Sequence, residues 1–214
     1  MEERSTYGKA FLQVTNVWTR SGSEAVKEIV FSKRLAKIAA DLLGLDGIRL
    51  FHDQALYKEP GGGVTPWHAD QYYWPFSNDL TVTAWIPLQE TSLEMGPLEF
   101  SSQSHTLPTG RDKEISDESE QLLQQTLKNQ GYKHIVEAFE IGEVSFHSGW
   151  LFHRAGANRS DKMRSVMTMI YMDKNMKLKA PVNKNQADDW QRWWSASEIG
   201  KQIDTPIYPI LYQR

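Results

Sequence analysis

Apolar and polar residues recur along this chain with two different periods, and the change of period divides it. In "SKRLAKIAADLLG" (32–44), Leu35, Ile38, Ala39, Leu42 and Leu43 fall at the 3.6-residue spacing of a helix with one apolar face. Ser32 is placed to cap that helix and Gly44 to stop it, and a shorter helix is expected after Ser23. From residue 48 the pattern becomes that of strands. "IRLFHDQALYK" (48–58) ends at the turn "EPGGG", while "TVTAWIPLQ" (81–89) and "RSVMTMIYM" (164–172) are rich in β-branched residues or alternate in the same way. "HIVEAFEIGEVSFHSG" (134–149) reads as two strands around Gly142. The polar stretch "DKEISDESEQLLQQTLKNQG" (112–131) reads as a helical insertion on the surface. "DDWQRWWSASEIG" (188–200) reads as a helix laying its tryptophans on a sheet.

Helices first and many short strands afterwards predict a mainly β fold with helical cover, a sandwich or jelly roll. At 214 residues the expectation is a single domain, residues 1–214. Within it lie a helical part over about 20–45, a β core over about 46–175 and a Trp-rich C-terminal segment over about 185–214. A hydrophobic share of 40% and a charged share of 24% suit a globular chain, and the net charge of −3 gives no field for nucleic acid or an anionic membrane. No apolar run is long enough to span a bilayer, and "MEERSTYGKA" does not read as a signal peptide. The chain has no cysteine, which excludes disulfides, zinc–thiolate sites and cysteine nucleophiles, and fits a cytoplasmic location. Any metal must therefore be held by His, Asp and Glu, a donor set that suits iron or manganese.

The candidate chemistry starts at "TPWHADQYYW" (65–74). On a strand, residues i and i+2 point the same way, so His68 and Asp70 converge. A metal ion is one use for such a pair, and a solvated surface pair is the other reading. A second cluster, "FHSGWLFHRAGANRSDKMRSV" (146–166), sets His153 eleven residues before Arg164, across a turn.

With "WHADQYYW", "VTAWIPL", "GWLFHRAGANRSDKMR" and "TPIYPILYQR", the chain resembles the phytanoyl-CoA dioxygenase-like family over roughly residues 45–214. The resemblance implies a double-stranded β-helix, a cupin-like jelly roll, that uses Fe(II), 2-oxoglutarate and dioxygen. It implies His68, Asp70 and His153 as the iron ligands, a two-histidine, one-carboxylate set that leaves three positions open. 2-Oxoglutarate would take two of those positions, with succinate and carbon dioxide as products and a substrate C–H bond oxidised. Arg164 would hold the distal carboxylate of 2-oxoglutarate, a bidentate task that lysine does not match. Thr83 and Trp85 resemble the strand that faces the cosubstrate in this family. No catalytic residue is expected beyond the metal centre.

Other positions carry lesser expectations. Tyr72, Tyr73 and Trp74 are candidates for the wall of the substrate pocket, as against ordinary packing. Gln54 and Lys58 share a strand face; Lys58 is a candidate contact, although a surface lysine laid along apolar ground is the commoner outcome. Val166 and Thr168 share the face of Arg164. His147 reads as a core residue or one behind the ligands, His105 as a turn residue, and His52 and His134 as surface or satisfied core histidines. Two departures stand out. Ala155 occupies a place where the family commonly has a hydroxyl that assists the cosubstrate carboxylate. Asp70, where halogenating relatives have Gly or Ala, argues against halogenation. The substrate expected is a small organic molecule, since no Lys/Arg cluster near the motifs suits the phosphates of a CoA ester. The alternative is a cupin-type metal-dependent isomerase or lyase without oxygen chemistry, which has no use for Arg164. The sequence leaves the oligomeric state open.

Overall fold

The computed structural model describes residues 11–214, so the N-terminal stretch read as lacking a signal peptide lies outside the described residues. A short strand β1 (Leu12–Thr15) leads through α1 (Val17–Arg20) into α2 (Glu24–Val30) and α3 (Lys33–Leu43). The caps are those expected: Ser23 Oγ accepts from Val26 N, Ser32 Oγ accepts from Leu35 N, and Gly44 ends α3 at φ 67°. Then follow β2 (Gly47–Lys58), β3 (Thr65–His68), β4 (Thr81–Pro87) and β5 (Leu98–Ser101). After α4 (Asp117–Asn129) come β6 (His134–Val136), β7 (Ser145–Ser148), β8 (His153–Ala155), β9 (Arg164–Asp173), α5 (Lys184–Asp189) and β10 (Ile210–Gln213).

Two antiparallel sheets result. One runs β1-β2-β9-β4-β7, with β10 also paired to β2; the other runs β3-β8-β5-β6. This is the mainly β, jelly-roll arrangement expected. The strands on either side of Gly142 both exist as β6 and β7, but they join different sheets and are not a hairpin.

Alternation along the strands decides what faces the interior. Val82 and Ala84 of β4 and Met167, Met169 and Tyr171 of β9 turn outward, where Ala36, Ala39 and Ala40 of α3 pack on them. Thr83, Trp85, Arg164, Thr168 and Ile170 turn the other way and line a cavity between the sheets. On β2 a bulge between Leu50 and His52 resets the phase. Leu50 thus stays in the outer core while His52, Gln54 and Leu56 join the cavity wall. Without that extra residue the face carrying Gln54 and Lys58 would point under α3.

α4 corrects one expectation. It is not a surface addition, because Leu123 and Leu127 are buried against Trp67 and Phe152. Those two residues immediately precede His68 and His153, so the helix packs on the back of both histidine-bearing strands. Its Glu120 accepts the Trp67 N–H at 2.7 Å and also pairs with Arg154. The Trp-rich tail is helical as expected only up to Trp194, and residues 195–200 are turn and irregular chain. Trp194, in a π turn (Trp190–Trp194) that continues α5, is fully buried among Phe51, Phe76 and Tyr208. Truncating such a residue to alanine typically costs about 3–5 kcal/mol.

Candidate metal centre

His68 is the last residue of β3 and His153 the first of β8, and the two are directly paired across the sheet, with ring centroids 4.2 Å apart. Asp70 does not continue β3. After Ala69 the chain turns into a 3-10 segment, Asp70–Tyr73. The strand argument for His68 and Asp70 therefore needs correction, although the convergence it predicts is present. His68 Nε2 lies 3.6 Å and His153 Nε2 3.7 Å from Asp70 Oδ1, and one ligand atom from each residue falls within 4.8 Å of the others.

Both imidazoles are oriented from behind. His68 Nδ1 donates to Pro66 O at 2.7 Å and His153 Nδ1 to Leu151 O at 3.0 Å. With the proton held at Nδ1, each Nε2 keeps a lone pair aimed at the common point, the tautomer a metal ligand needs. Burial opposes ionisation of Asp70, but His153, His147 and His68 outweigh it and hold the carboxyl well below the usual range. Burial, aided by His68 and His147, keeps His153 neutral far below the usual imidazole value. A neutral His153 and an ionised Asp70 suit a divalent cation, because neither has to lose a proton to bind it.

Thr83 lines the cavity and donates to Asp70 Oδ2 at 3.3 Å, so its hydroxyl steadies the carboxylate. His147 also lies behind the cluster, its Nε2 3.5 Å from Asp70 Oδ2 and its ring 4.4 Å from that of His153. His147 is buried, as a core residue would be, but it also lines the cavity beside the cluster.

Deeper in the cavity stands Arg164, 2% exposed. Its Nη1 donates to Gly96 O, its Nε has no partner, and its guanidinium lies 5.5 Å from the centre of the Trp85 ring. Among the described residues no carboxylate pairs with it. Burial lowers its pKa to about 10, which leaves it charged at neutral pH. A buried guanidinium without a counter-charge is costly, and an anion entering the cavity would offset that cost. Around it, Trp85, Leu98, Ala155 and Leu56 offer mostly apolar walls. Of the nearby hydroxyls, Thr168 already donates to Gln54 at 3.2 Å. Thr65 faces the cavity and is the cross-strand partner of Ala155. The hydroxyl absent at 155 is thus present one strand away.

The remaining expectations divide. Gln54, Tyr73 and Trp74 line the cavity. Tyr72 does not; its carbonyl is taken by Asn183 and Gln186. Lys58 is the clearest correction: it is fully buried, neither a surface lysine nor part of the cavity lining. Its ammonium is enclosed instead by Gly63, Thr65 and Gly156. His134 pairs with Glu99 near the surface, and His105 sits exposed in a 3-10 turn.

Sequence reasoning missed the outer wall. His52, Asp189, Arg192 and Trp193 border the cavity, which measures about 280 Å³. The only signal was the run "DDWQRWW", read for packing alone. Asp189 is raised to about 7 by burial, against the Trp194 Nε1–H it accepts at 3.3 Å. His52 gives its Nδ1 proton to Asn16 Oδ1 at 2.8 Å and, through burial, has a pKa of about 3. An unfolded histidine titrates near 6.5, so this buried neutral ring adds stability above that value and loses it as pH falls from 6.5 toward 3. Between pH 7 and 5 the loss is about 2 kcal/mol. Urea unfolding at the two pH values should show a smaller difference in His52→Gln than in the parent, by roughly that amount.

A jelly roll that gathers two imidazoles and a carboxylate beside a buried, unpaired arginine defines a class: the mononuclear metal-site proteins of cupin-like fold. Within that class this chain belongs to the phytanoyl-CoA dioxygenase (PhyH) family, whose profile it matches over residues 5–166. It is similar to a probable alpha-ketoglutarate-dependent hypophosphite dioxygenase of Stutzerimonas stutzeri, at 24% identity over 155 residues, 69% of this chain. The chain spans about half the length of that relative, 53%. In fold it is similar to SnoN, a non-heme alpha-ketoglutarate-dependent epimerase of nogalamycin biosynthesis. That match has a TM-score of 0.77 and 23% identity, and covers 99% of this chain and 81% of SnoN. It is also similar to SnoK, a carbocyclase of the same pathway, with a TM-score of 0.74, 22% identity, and 92% and 74% coverage. Among the described residues no helix is long and apolar enough to cross a membrane.

Proposed function

We propose that this protein is an Fe(II)- and 2-oxoglutarate-dependent dioxygenase that hydroxylates, or otherwise oxidises, a C–H bond of a small organic molecule, with succinate and carbon dioxide as products. The observation that carries the reading is Arg164, a buried cation that pairs with no carboxylate among the described residues and lines the cavity that also holds the His68, Asp70 and His153 cluster. A metal-dependent isomerase needs the cluster but gives that arginine nothing to do.

His68, Asp70 and His153 would hold Fe(II), since their donor atoms converge and both rings are oriented by a backbone carbonyl at Nδ1. When bound, the iron with 2-oxoglutarate and dioxygen supplies the oxidising power for C–H cleavage. Arg164 would take the distal carboxylate of 2-oxoglutarate through two parallel hydrogen bonds, and Thr65 is placed to donate a third. Trp85, Leu98 and Leu56 exclude water from that pair, which strengthens it. Thr83 keeps Asp70 oriented through its hydroxyl. On the outer side Tyr73, Trp74, Trp193 and His52 would surround the substrate, with Asp189 and Arg192 at its rim. The relatives support a small-molecule substrate: one is named for hypophosphite, another is described with nogalamycin RO. The reading includes a cytoplasmic location and no nucleic-acid partner, as the composition suggests.

An anaerobic titration with Fe(II) and 2-oxoglutarate tests it. A visible charge-transfer band is expected only when both are present, fading once oxygen is admitted. Iron binding without the band would leave the isomerase reading.

A further inference from the structure

Lys58 is fully buried, and neither the metal cluster nor the cavity lining uses it. It is paired across β2 and β9 with Arg164, so two cationic side chains leave adjacent strands side by side. Among the described residues no carboxylate contacts Lys58. Its Nζ donates to Gly63 O at 2.9 Å, Gly156 O at 2.6 Å and Thr65 Oγ1 at 3.4 Å, all neutral oxygens. Each of the last two leads to the anchor. Lys58 fills an acceptor position on Thr65, so the hydroxyl proton of Thr65 is free to turn toward the cavity that Thr65 lines. Gly156 O lies against Gly96, where an added Cβ would come within 2.2 Å of it. The Gly96 carbonyl in turn receives Arg164. Lys58 thus braces both groups that face the distal end of the cosubstrate.

From these contacts we infer that Lys58 is a positioning residue for the dicarboxylate end of the site, and that it gains a proton when the cosubstrate carboxylate settles on Arg164. The inference rests on the dioxygenase reading. The charged groups facing Lys58 are Arg164 from β9, Glu99 from β5 and Arg154 from β8. Glu99 is occupied by His134 at 2.8 Å and Arg154 at 3.4 Å. Burial first, then Arg164, brings Lys58 down to about 7 without ligand, so near neutral pH part of the protein carries it uncharged. A carboxylate arriving beside Arg164 cancels the like-charge repulsion and draws the proton back. Binding then carries a proton with it, and affinity falls as pH rises above that value.

The test is calorimetric titration of the iron-loaded protein with 2-oxoglutarate under anaerobic conditions, from pH 6 to 8.5, in buffers of different ionisation enthalpy. Near pH 8 the parent should take up up to one proton more per 2-oxoglutarate than Lys58→Gln. Its Kd should rise by as much as about tenfold per pH unit above 7. Protons exchanged at the metal ligands are common to both proteins and cancel in the comparison. Lys58→Gln keeps a donor without the charge, so its Kd should be weaker at pH 7 and nearly independent of pH. Lys58→Arg, whose charge is fixed, should bind without the extra proton and serves as the test if the glutamine variant does not fold. Equal proton uptake and equal pH profiles in parent and variants would overturn the role of Lys58. Absence of any 2-oxoglutarate binding in the parent would overturn the dioxygenase reading and this inference with it.

Discussion

Asp70→Ala is expected to fold but to lose iron and, with it, all turnover. Asp70 Oδ1 is the atom that both histidine Nε2 atoms approach, at 3.6 and 3.7 Å, and among the described residues Asp70 is the one carboxylate in the cluster. Removing it leaves two imidazoles and takes away the cluster's negative charge that matches a divalent ion. Changing a residue behind a metal ligand costs about 10- to 100-fold in affinity, so losing a ligand should cost more than about a hundredfold. The variant should keep its circular dichroism and melting behaviour, because the backbone at Asp70 is held independently: Gln71 N donates to Gly149 O at 2.9 Å. Iron content after anaerobic loading and gel filtration is the measurement. Stoichiometric iron in a folded Asp70→Ala protein would remove Asp70 from the site.

Much of this was legible beforehand, for identifiable reasons. The long elements announce themselves: α3 by its apolar stripe and its two caps, β2 and β9 by their length. β1, β5 and β8 are three or four residues each, too short for alternation to register. The ligand set could be read from two short motifs because its spacing is local on one side, His68 to Asp70, and is tied on the other to a turn before Arg164. The strand geometry invoked for that pair was wrong, since β3 stops at His68 and a 3-10 turn delivers Asp70.

Burial was harder. Lys58 looked like a surface lysine because sequence carries no sign of what closes over a strand end. Here Gly63, Thr65 and Gly156, from two separate segments, complete that cover. The outer wall was invisible for a related reason. Asp189 and Arg192 lie beyond residue 166, where the family profile ends, and reach the cavity only because Trp194 fixes the tail in the aromatic cluster with Phe51. Likewise the bulge after Leu50 sets which half of β2 faces the cavity, and nothing in "RLFHDQ" marks it.

The second large effect is expected at Arg164, and Arg164→Met separates anchoring from stability. In the parent the guanidinium is desolvated with one carbonyl partner and an unpaired Nε, so it adds little to the stability of the ligand-free protein. Methionine fills a similar volume without a charge, and the ligand-free variant should melt at or above the parent temperature. The cosubstrate should behave in the opposite way. Truncating one partner of a buried, hydrogen-bonded charge pair costs about 2–5 kcal/mol, equivalent to roughly 30- to several-thousand-fold in Kd for 2-oxoglutarate. Iron binding should survive, because Arg164 is not among the donor groups that converge at the metal cluster. Millimolar 2-oxoglutarate should therefore raise the melting temperature of the iron-loaded parent and leave that of iron-loaded Arg164→Met unmoved. Arg164→Lys should recover only part of the affinity, since a single ammonium cannot make two parallel bonds to one carboxylate. Unchanged 2-oxoglutarate affinity in the methionine variant would mean that the carboxylate sits elsewhere and that the buried arginine answers to a different anion.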